Sequence, residues 1–556
     1  MATRRQPLIP GWLIPGVSAA TLVVAVALAA FLALWWNAPQ GNWVAVWQDS
    51  YLWHVVRFSF WQAFLSALLS VVPAIFLARA LYRRRFPGRL ALLRLCAMTL
   101  ILPVLVAVFG ILSVYGHQGW LASLCQSLGL EWTFSPYGLQ GILLAHVFFN
   151  LPMASRLLLQ ALENIPGEQR QLAAQLGMRG WHFFRFVEWP WLRRQIPPVA
   201  ALIFMLCFAS FATVLSLGGG PQATTIELAI YQALSYDYDP ARAAMLALLQ
   251  MVCCLGLVLL SQRLSKAIAP GTTLLQGWRD PDDRLHSRIC DTVLIVLALL
   301  LLLPPLLAVI VDGVNRQLPE VLAQPVLAVI VDGVNRQLPE VLAQPVLWQA
   351  LWTSLRIALA AGVLCVVLTM MLLWSSRELR ARQKMLAGQA LEMSGMLILA
   401  MPGIVLATGF FLLLNNTIGL PQSADGIVIF TNALMAIPYA LKVLENPMRD
   451  ITDRYSMLCQ SLGIEGWSRL KVVELRALKR PLAQALAFAC VLSIGDFGVV
   501  ALFGNDDFRT LPFYLYQQIG SYRSQDGAVT ALILLLLCFL LFTVIEKLPG
   551  RNVKTD

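Results

Sequence analysis

The chain has 556 residues, of which 58% are hydrophobic and only 13% are charged, and its mean hydropathy is +0.70. This apolar surface exceeds what a soluble core can bury, so the composition excludes a soluble protein and predicts a membrane protein. The net charge of +11 does not predict a nucleic-acid ligand, because the basic residues lie in short loops between apolar runs. Ten scattered cysteines without a CxxC pair indicate packing residues and no metal site.

Twelve apolar runs are long enough to cross a bilayer as helices. They lie at 13–36, 58–81, 90–115, 138–162, 198–217 and 242–262, and then at 289–311, 350–374, 388–414, 426–445, 481–503 and 528–545. The length of the first run favours an uncleaved span over a secretory signal peptide. The predicted fold is therefore all-α and polytopic, with helices kinked or interrupted at Pro103, Pro152, Pro402 and Pro438.

Lysine and arginine are concentrated in alternate loops. The loops around 79–94, 170–194 and 449–480 are rich in them, whereas the segments 116–137 and 218–241 contain none. Short loops rich in Lys and Arg stay on the cytoplasmic side of a membrane. Starting from Arg4 and Arg5 and changing side at each span, this count predicts that both termini are cytoplasmic.

An offset of 286 residues aligns the two halves of the sequence, and it pairs Gly177 with Gly463 and Trp181 with Trp467. Because each half contains six spans, the two copies have the same orientation and form a parallel repeat. We therefore expect two domains, at 1–285 and 286–556, with corresponding cytoplasmic loops at 163–197 and 446–480.

A second repeat is exact: LAVIVDGVNRQLPEVLAQPV occupies 307–326 and again 327–346. The identity of the copies indicates a recent tandem duplication or an error of sequence assembly. Its apolar pieces are too short to span, so we expect 307–346 to lie on the outer, periplasmic side. An insertion is tolerable there because the entropic cost of loop closure rises slowly with length. We assign it no function.

The first of the two cytoplasmic loops has the pattern of a docking surface. Leu172 and Leu176 lie four residues apart, on one face of a short helix that Gly177 is expected to end. A second amphipathic stretch is expected to run from Trp181 to Pro190. Exposed apolar side chains among arginines favour a partner protein, although two ordinary interfacial helices are the alternative.

The loop resembles the motif of the inner-membrane permeases of bacterial ABC importers, which is EAA, three residues, Gly, nine residues and I-x-L-P. Both copies keep the glycine spacing, both lack the acidic first residue, and the second has Arg476 in place of the closing proline. The resemblance implies a type I importer fold. It also implies that the ATPase-coupling residues are Gln171, Leu172, Ala173, Leu176, Gly177, Trp181 and Pro190 in the first loop, and Leu458, Leu462, Gly463 and Trp467 in the second.

The resemblance covers nearly the whole chain and is closest to the fused two-half permeases for thiamine, with the ferric-iron permeases as a related group. It implies a non-enzymatic subunit that imports thiamine and its phosphate esters across the bacterial inner membrane by alternating access. The implied partners are a periplasmic thiamine-binding protein, two copies of an ATPase, and membrane lipid. No GxxxxGK[ST] loop is present, so we expect no cofactor on this chain, with ATP and magnesium on the ATPase. One alternative is a ferric-iron importer. The other is a proton-coupled secondary transporter, and the paired loops argue against that class.

Two polar residues within apolar runs are candidates for the transport pathway. Asp496 is the clearest acidic one, and Ser210 is its counterpart in the first half. An intramembrane carboxylate is a functional candidate that would favour a cation, and the alternative is a solvated or capping group near the end of its helix. His146 could relay protons, but a lone histidine in a helix bundle favours a packing role.

Overall fold

The computed structural model describes residues 11–38, 44, 48–99, 101–264, 285–314, 337–415, 420–464, 466–505, 508–521 and 523–547. Regular secondary structure within these ranges is entirely helical, which confirms the predicted fold class. The first half contains α1 Ile14–Asn37, α2 Ser50–Arg83, α3 Arg89–Met98, α4 Val104–Tyr115, α5 Trp120–Ser127, α6 Leu139–Glu163, α7 Gly167–Gln175, α8 Gly180–Phe183, α9 Trp189–Phe208, α10 Phe211–Leu217, α11 Ile226–Ser235 and α12 Pro240–Leu264. The second contains α13 Leu285–Val314, α14 Gln337–Ala343, α15 Pro345–Ala381, α16 Met385–Met396, α17 Gly403–Asn415, α18 Leu420–Ser461, α19 Gly466–Arg469, α20 Leu475–Ala477, α21 Lys479–Gly495, α22 Gly498–Phe503, α23 Leu511–Gly520 and α24 Ser524–Lys547.

The number of candidate spans agrees with the sequence. Within the described ranges, ten helices are long and apolar enough to cross a membrane, and the number rises to twelve if each of two bent pairs is one span. Helices suit the hydrocarbon core of a bilayer because each helix makes all of its backbone hydrogen bonds within itself.

The third and fifth predicted spans of each half are broken. In the third spans, Pro103 and Pro402 precede α4 and α17 and separate them from α3 and α16. In the fifth spans, α9 is separated from α10, and α21 from α22, by two residues each. By contrast, Pro152 and Pro438 lie inside the continuous helices α6 and α18.

The helices form two compact units that do not follow the sequence halves. One unit comprises the described residues within 1–44, 229–254 and 339–556, and the other comprises those within 45–228 and 255–338. Within the former, α1 packs on α15 and α17; within the latter, α13 packs on α2 and α4. The expected division at 285/286 therefore describes the sequence repeat, whereas the first helix of each half packs with helices of the other half.

Small residues allow these helices to approach closely. A Cβ atom added to Gly16 of α1 would lie 2.3 Å from the Cβ of Ser375, and one added to Gly409 of α17 would lie 2.8 Å from the carbonyl oxygen of Ala30. The Gly16 N–H also donates a hydrogen bond to Ser375 Oγ over 2.9 Å. Lipid tails are as apolar as the helix surfaces, so the hydrophobic effect does not drive membrane helices together. Close packing of this kind holds them together instead.

Candidate functional site

The first predicted docking loop folds as the sequence suggests up to Gly177. Helix α7 ends at Gln175, and Gly177 follows with a φ of +64°, a left-handed conformation that favours glycine. The Met178 N–H donates to the Ala173 carbonyl over 2.9 Å, which closes the end of the helix. The prediction that Gly177 ends this helix is confirmed.

The second loop repeats the same backbone. Gly463 has a φ of +63°, and the Ile464 N–H donates to the Cys459 carbonyl over 2.9 Å. A π-helical turn follows in each loop, at Phe184–Glu188 and Leu470–Glu474. These turns are separated by the same offset of 286 residues, so the sequence repeat is also a repeat of local structure.

Each loop exposes two leucines and one tryptophan, and we call these two sets the first and second coupling segments. Ala173 and its counterpart Cys459 are buried beneath them, whereas Gln171 is exposed. The exposed fractions match closely: 56%, 63% and 66% for Leu172, Leu176 and Trp181, and 53%, 62% and 68% for Leu458, Leu462 and Trp467. Exposed apolar side chains in a fixed geometry are suited to docking a partner protein.

A groove of about 350 Å³ lies beside the first coupling segment, and Leu172, Leu176, Phe186 and Pro190 are among its lining residues. The expectation that the second amphipathic stretch ends at Pro190 is wrong. The π-helical turn continues directly into α9, and Pro190 occupies the first turn of that helix.

A buried ion pair, which sequence reasoning missed, anchors the first loop. Glu188 is buried, and its Oε2 lies 2.6 Å from Nε of Arg79 on α2. The guanidinium of Arg79 also lies 4.5 Å from the centroid of the Phe184 ring. The match of Glu188 with Glu474 at the repeat offset was the available signal, since an acid repeated in an apolar stretch favours a nearby cation.

The second loop has an equivalent anchor. Glu474 is buried and forms ion pairs with Arg377 of α15 and with Arg469, whose Nε is 3.1 Å away. Helices α2 and α15 correspond at an offset of 295, because Ser59 and Ser354 accept equivalent hydrogen bonds from the N–H groups of Ile226 and Leu511. By that offset, Arg377 corresponds to Tyr82, one helical turn from Arg79. The ion pair is thus retained in both units although the position of its arginine differs.

The candidate pathway residues lie where the fifth spans break. Ser210 separates α9 from α10 and donates a hydrogen bond to the Cys207 carbonyl over 2.7 Å. Asp496 separates α21 from α22. His146 is buried in α6 with Nδ1 2.8 Å from Ser66 Oγ, the environment of a packing residue.

Comparison with known proteins identifies relatives along the entire chain. Residues 70–270 and 381–551 match the family of the "Binding-protein-dependent transport system inner membrane component". The chain is 95% identical over 556 residues to the thiamine transport system permease protein ThiP of Escherichia coli K12, covering 100% of both. It is 87% identical over the same length to that of Salmonella typhimurium, again covering 100% of both. It is also 42% identical over 520 residues to that of Haemophilus influenzae, covering 94% of this chain and 92% of the relative. The chain therefore belongs to the family of inner-membrane components of binding-protein-dependent transport systems.

Proposed function

We propose that this chain is the permease of a thiamine importer. It carries thiamine and its phosphate esters across the bacterial inner membrane by alternating access, and a separate subunit hydrolyses the ATP. The observation that carries the cargo assignment is the 95% identity, over the full length, to a relative named as a thiamine transport permease. The two other relatives reported above are also named as thiamine transport permeases.

The two coupling segments each dock one copy of the ATPase. Their matched leucines and tryptophans offer two equivalent apolar surfaces, which suits two identical partner subunits. The buried Glu188 and Glu474 fix these surfaces to α2 and α15, so that movement of the ATPase reaches the membrane helices. ATP and magnesium are bound by the partner, since this sequence contains no phosphate-binding loop.

Both coupling segments and both termini face the cytoplasm in this proposal. The support is the alternation of Lys and Arg between loops, which is the main determinant of membrane orientation. A periplasmic thiamine-binding protein then delivers its cargo to the opposite side, where the loops 116–137 and 218–241 carry no basic residues.

Reconstitution tests this function. The purified chain is placed in proteoliposomes with its ATPase and with thiamine-loaded binding protein, and uptake of labelled thiamine is measured. We expect uptake to require ATP and both partners, and to be inhibited by thiamine phosphates and not by ferric iron. Uptake that continues without the ATPase and stops with a protonophore would establish a secondary transporter instead. Transport of ferric iron but not thiamine would overturn the cargo assignment.

A further inference from the structure

The fifth span of the second half is broken beside a half-buried aspartate. Helix α21 ends at Gly495 and α22 begins at Gly498, which leaves Asp496 and Phe497 outside both helices. Non-helical backbone within a membrane is tolerated where it is buried in protein or lines a cavity. Discontinuous helices also form the substrate sites of many transporters. The break therefore marks a position at which a transported molecule could meet the protein.

The carboxylate of Asp496 has polar neighbours but no cation. The N–H groups of Gly498 and Val499, at the start of α22, and the side chain of Asn432 are its polar neighbours. Asn432 is oriented in turn by Ser493, whose Oγ lies 3.0 Å from its Nδ2. Oδ2 of Asp496 is buried without a hydrogen-bond partner, and the carboxylate forms no ion pair within the described residues. A buried carboxylate without a cation is costly, and a positively charged ligand would remove that cost.

The residue after Asp496 is aromatic and packs against a second aromatic ring. The ring centroids of Phe497 and Tyr516 are 4.9 Å apart. Burial, with Tyr231 and Tyr236 nearby, raises the pKa of Tyr516 to about 12, so its hydroxyl stays protonated at neutral pH. Aromatic faces attract organic cations. A metal ion would require several ligating side chains, and the described residues contain no group of three or more His, Cys, Asp or Glu that could hold one.

Only one half of the repeat has this charge. At the offset of 286, Asn432 corresponds to His146, and Asp496 corresponds to Ser210. Ser210 donates to a backbone carbonyl and introduces no negative charge. The break in the fifth span is thus common to both halves, whereas the carboxylate is specific to the second.

We propose that Asp496, at the break between α21 and α22 and beside Asn432, binds the positively charged ring of the substrate during translocation. The inference rests on the proposed function, because the thiazolium ring of thiamine has a permanent positive charge. The ligand class is an organic cation whose charge lies on an aromatic ring. The competing structural role is capping of α22, because Asp496 lies two residues before the start of that helix.

The variant Asp496→Asn separates the two roles, because asparagine caps helices as well as aspartate but has no charge. Thiamine uptake is compared in proteoliposomes with that of a neutral isostere in which the thiazolium nitrogen is replaced by carbon, each at a concentration that saturates the binding protein. We expect Asp496→Asn to reduce thiamine uptake roughly tenfold or more, as a lost charge-assisted contact should, and to abolish the preference for the cation. Asp496→Glu should keep that preference, and ATPase co-purification should be unchanged.

Asp496→Ser, which copies the residue of the first half, is the second neutral variant. If Asp496→Asn impairs assembly, Asp496→Ser should still show the loss of preference for thiamine over the neutral isostere. Wild-type uptake by either neutral variant, or an equal loss for both compounds, would overturn the inference while leaving the importer assignment intact. Failure of the wild-type chain to transport thiamine would instead overturn the proposed function.

Discussion

At the scale of single residues, one buried ion pair holds each coupling segment to its own unit. The side chain of Glu188 is almost inaccessible, and Arg79 approaches it from α2, 109 positions earlier in the chain. Removing one partner of such a pair leaves an uncompensated buried charge, which typically costs about 3–5 kcal/mol, whereas replacing both with apolar residues can be nearly neutral. The sequence reveals the repeated glutamate but not its arginine, because their contact depends on the packing of α2.

We predict that Arg79→Met and Glu188→Met will each lower the thermal unfolding temperature in detergent, and that the double variant will recover much of the loss. Co-purification of the ATPase should likewise fall in each single variant and recover in the double variant. The control is Arg356→Met, which disrupts a half-exposed ion pair with Asp425 and should have little effect. A double variant as unstable as the sum of the single ones would show that the two charges do not stabilise each other.

At the scale of elements, the coupling segments depend on two left-handed glycines. Gly177 and Gly463 each have a positive φ, and an added Cβ would meet no atom within 4 Å at either position. A side chain there would strain the backbone and project from the exposed face, without displacing the core. The glycine spacing is visible in the sequence, but the equal exposure of the two segments is visible only in the structure.

The double variant Gly177→Arg with Gly463→Arg should abolish ATPase co-purification, because it adds two bulky charges to the apolar docking surfaces. Gly129→Arg is the matched control, since Gly129 also has a positive φ with no atom within 4 Å but lies outside both segments. That control should retain the ATPase. Normal co-purification of the ATPase with the double variant would refute docking at these segments.

The packing of α1 on α17 provides a further prediction. Gly409→Val should destabilise the protein by several kcal/mol, because its side chain would overlap backbone atoms of Ala30 that cannot move cheaply. Gly256→Val, in α12, meets no atom within 4 Å and should be tolerated. Thermal unfolding of the two variants in detergent makes the comparison. Equal unfolding temperatures would contradict the close approach of α1 and α17.

At the scale of the whole molecule, the exact 20-residue repeat lies only partly within the described residues. These include 307–314 of the first copy and 337–346 of the second. The remaining residues, 315–336, lie outside the described ranges, so the periplasmic placement of the duplication stays a prediction. Gln344 of the second copy accepts a hydrogen bond from the Tyr514 hydroxyl over 2.6 Å.

Deleting residues 317–336 restores a single copy and preserves both described ends. We expect unchanged thiamine uptake and unfolding temperature, because the sequence predicts a loop at these residues and the closure entropy of a loop changes only slightly with its length. Deleting 337–343 instead removes α14 and with it the Leu342 carbonyl that accepts a hydrogen bond from Trp348, so that variant should be less stable. Loss of uptake in the first deletion would assign a function to the additional copy.

The sequence by itself determined the helical class, the number of spans, the parallel repeat and the position of both coupling segments. These features follow from hydrophobicity, charge and spacing, which are properties of neighbouring residues. Only the tertiary structure decided that α1 packs on α17, that Arg79 reaches Glu188, and that Asp496 lies at a helix break and forms no ion pair among the described residues. A membrane helix that is apolar on all sides does not indicate which face meets protein, so these contacts depend on which helices approach closely enough to touch.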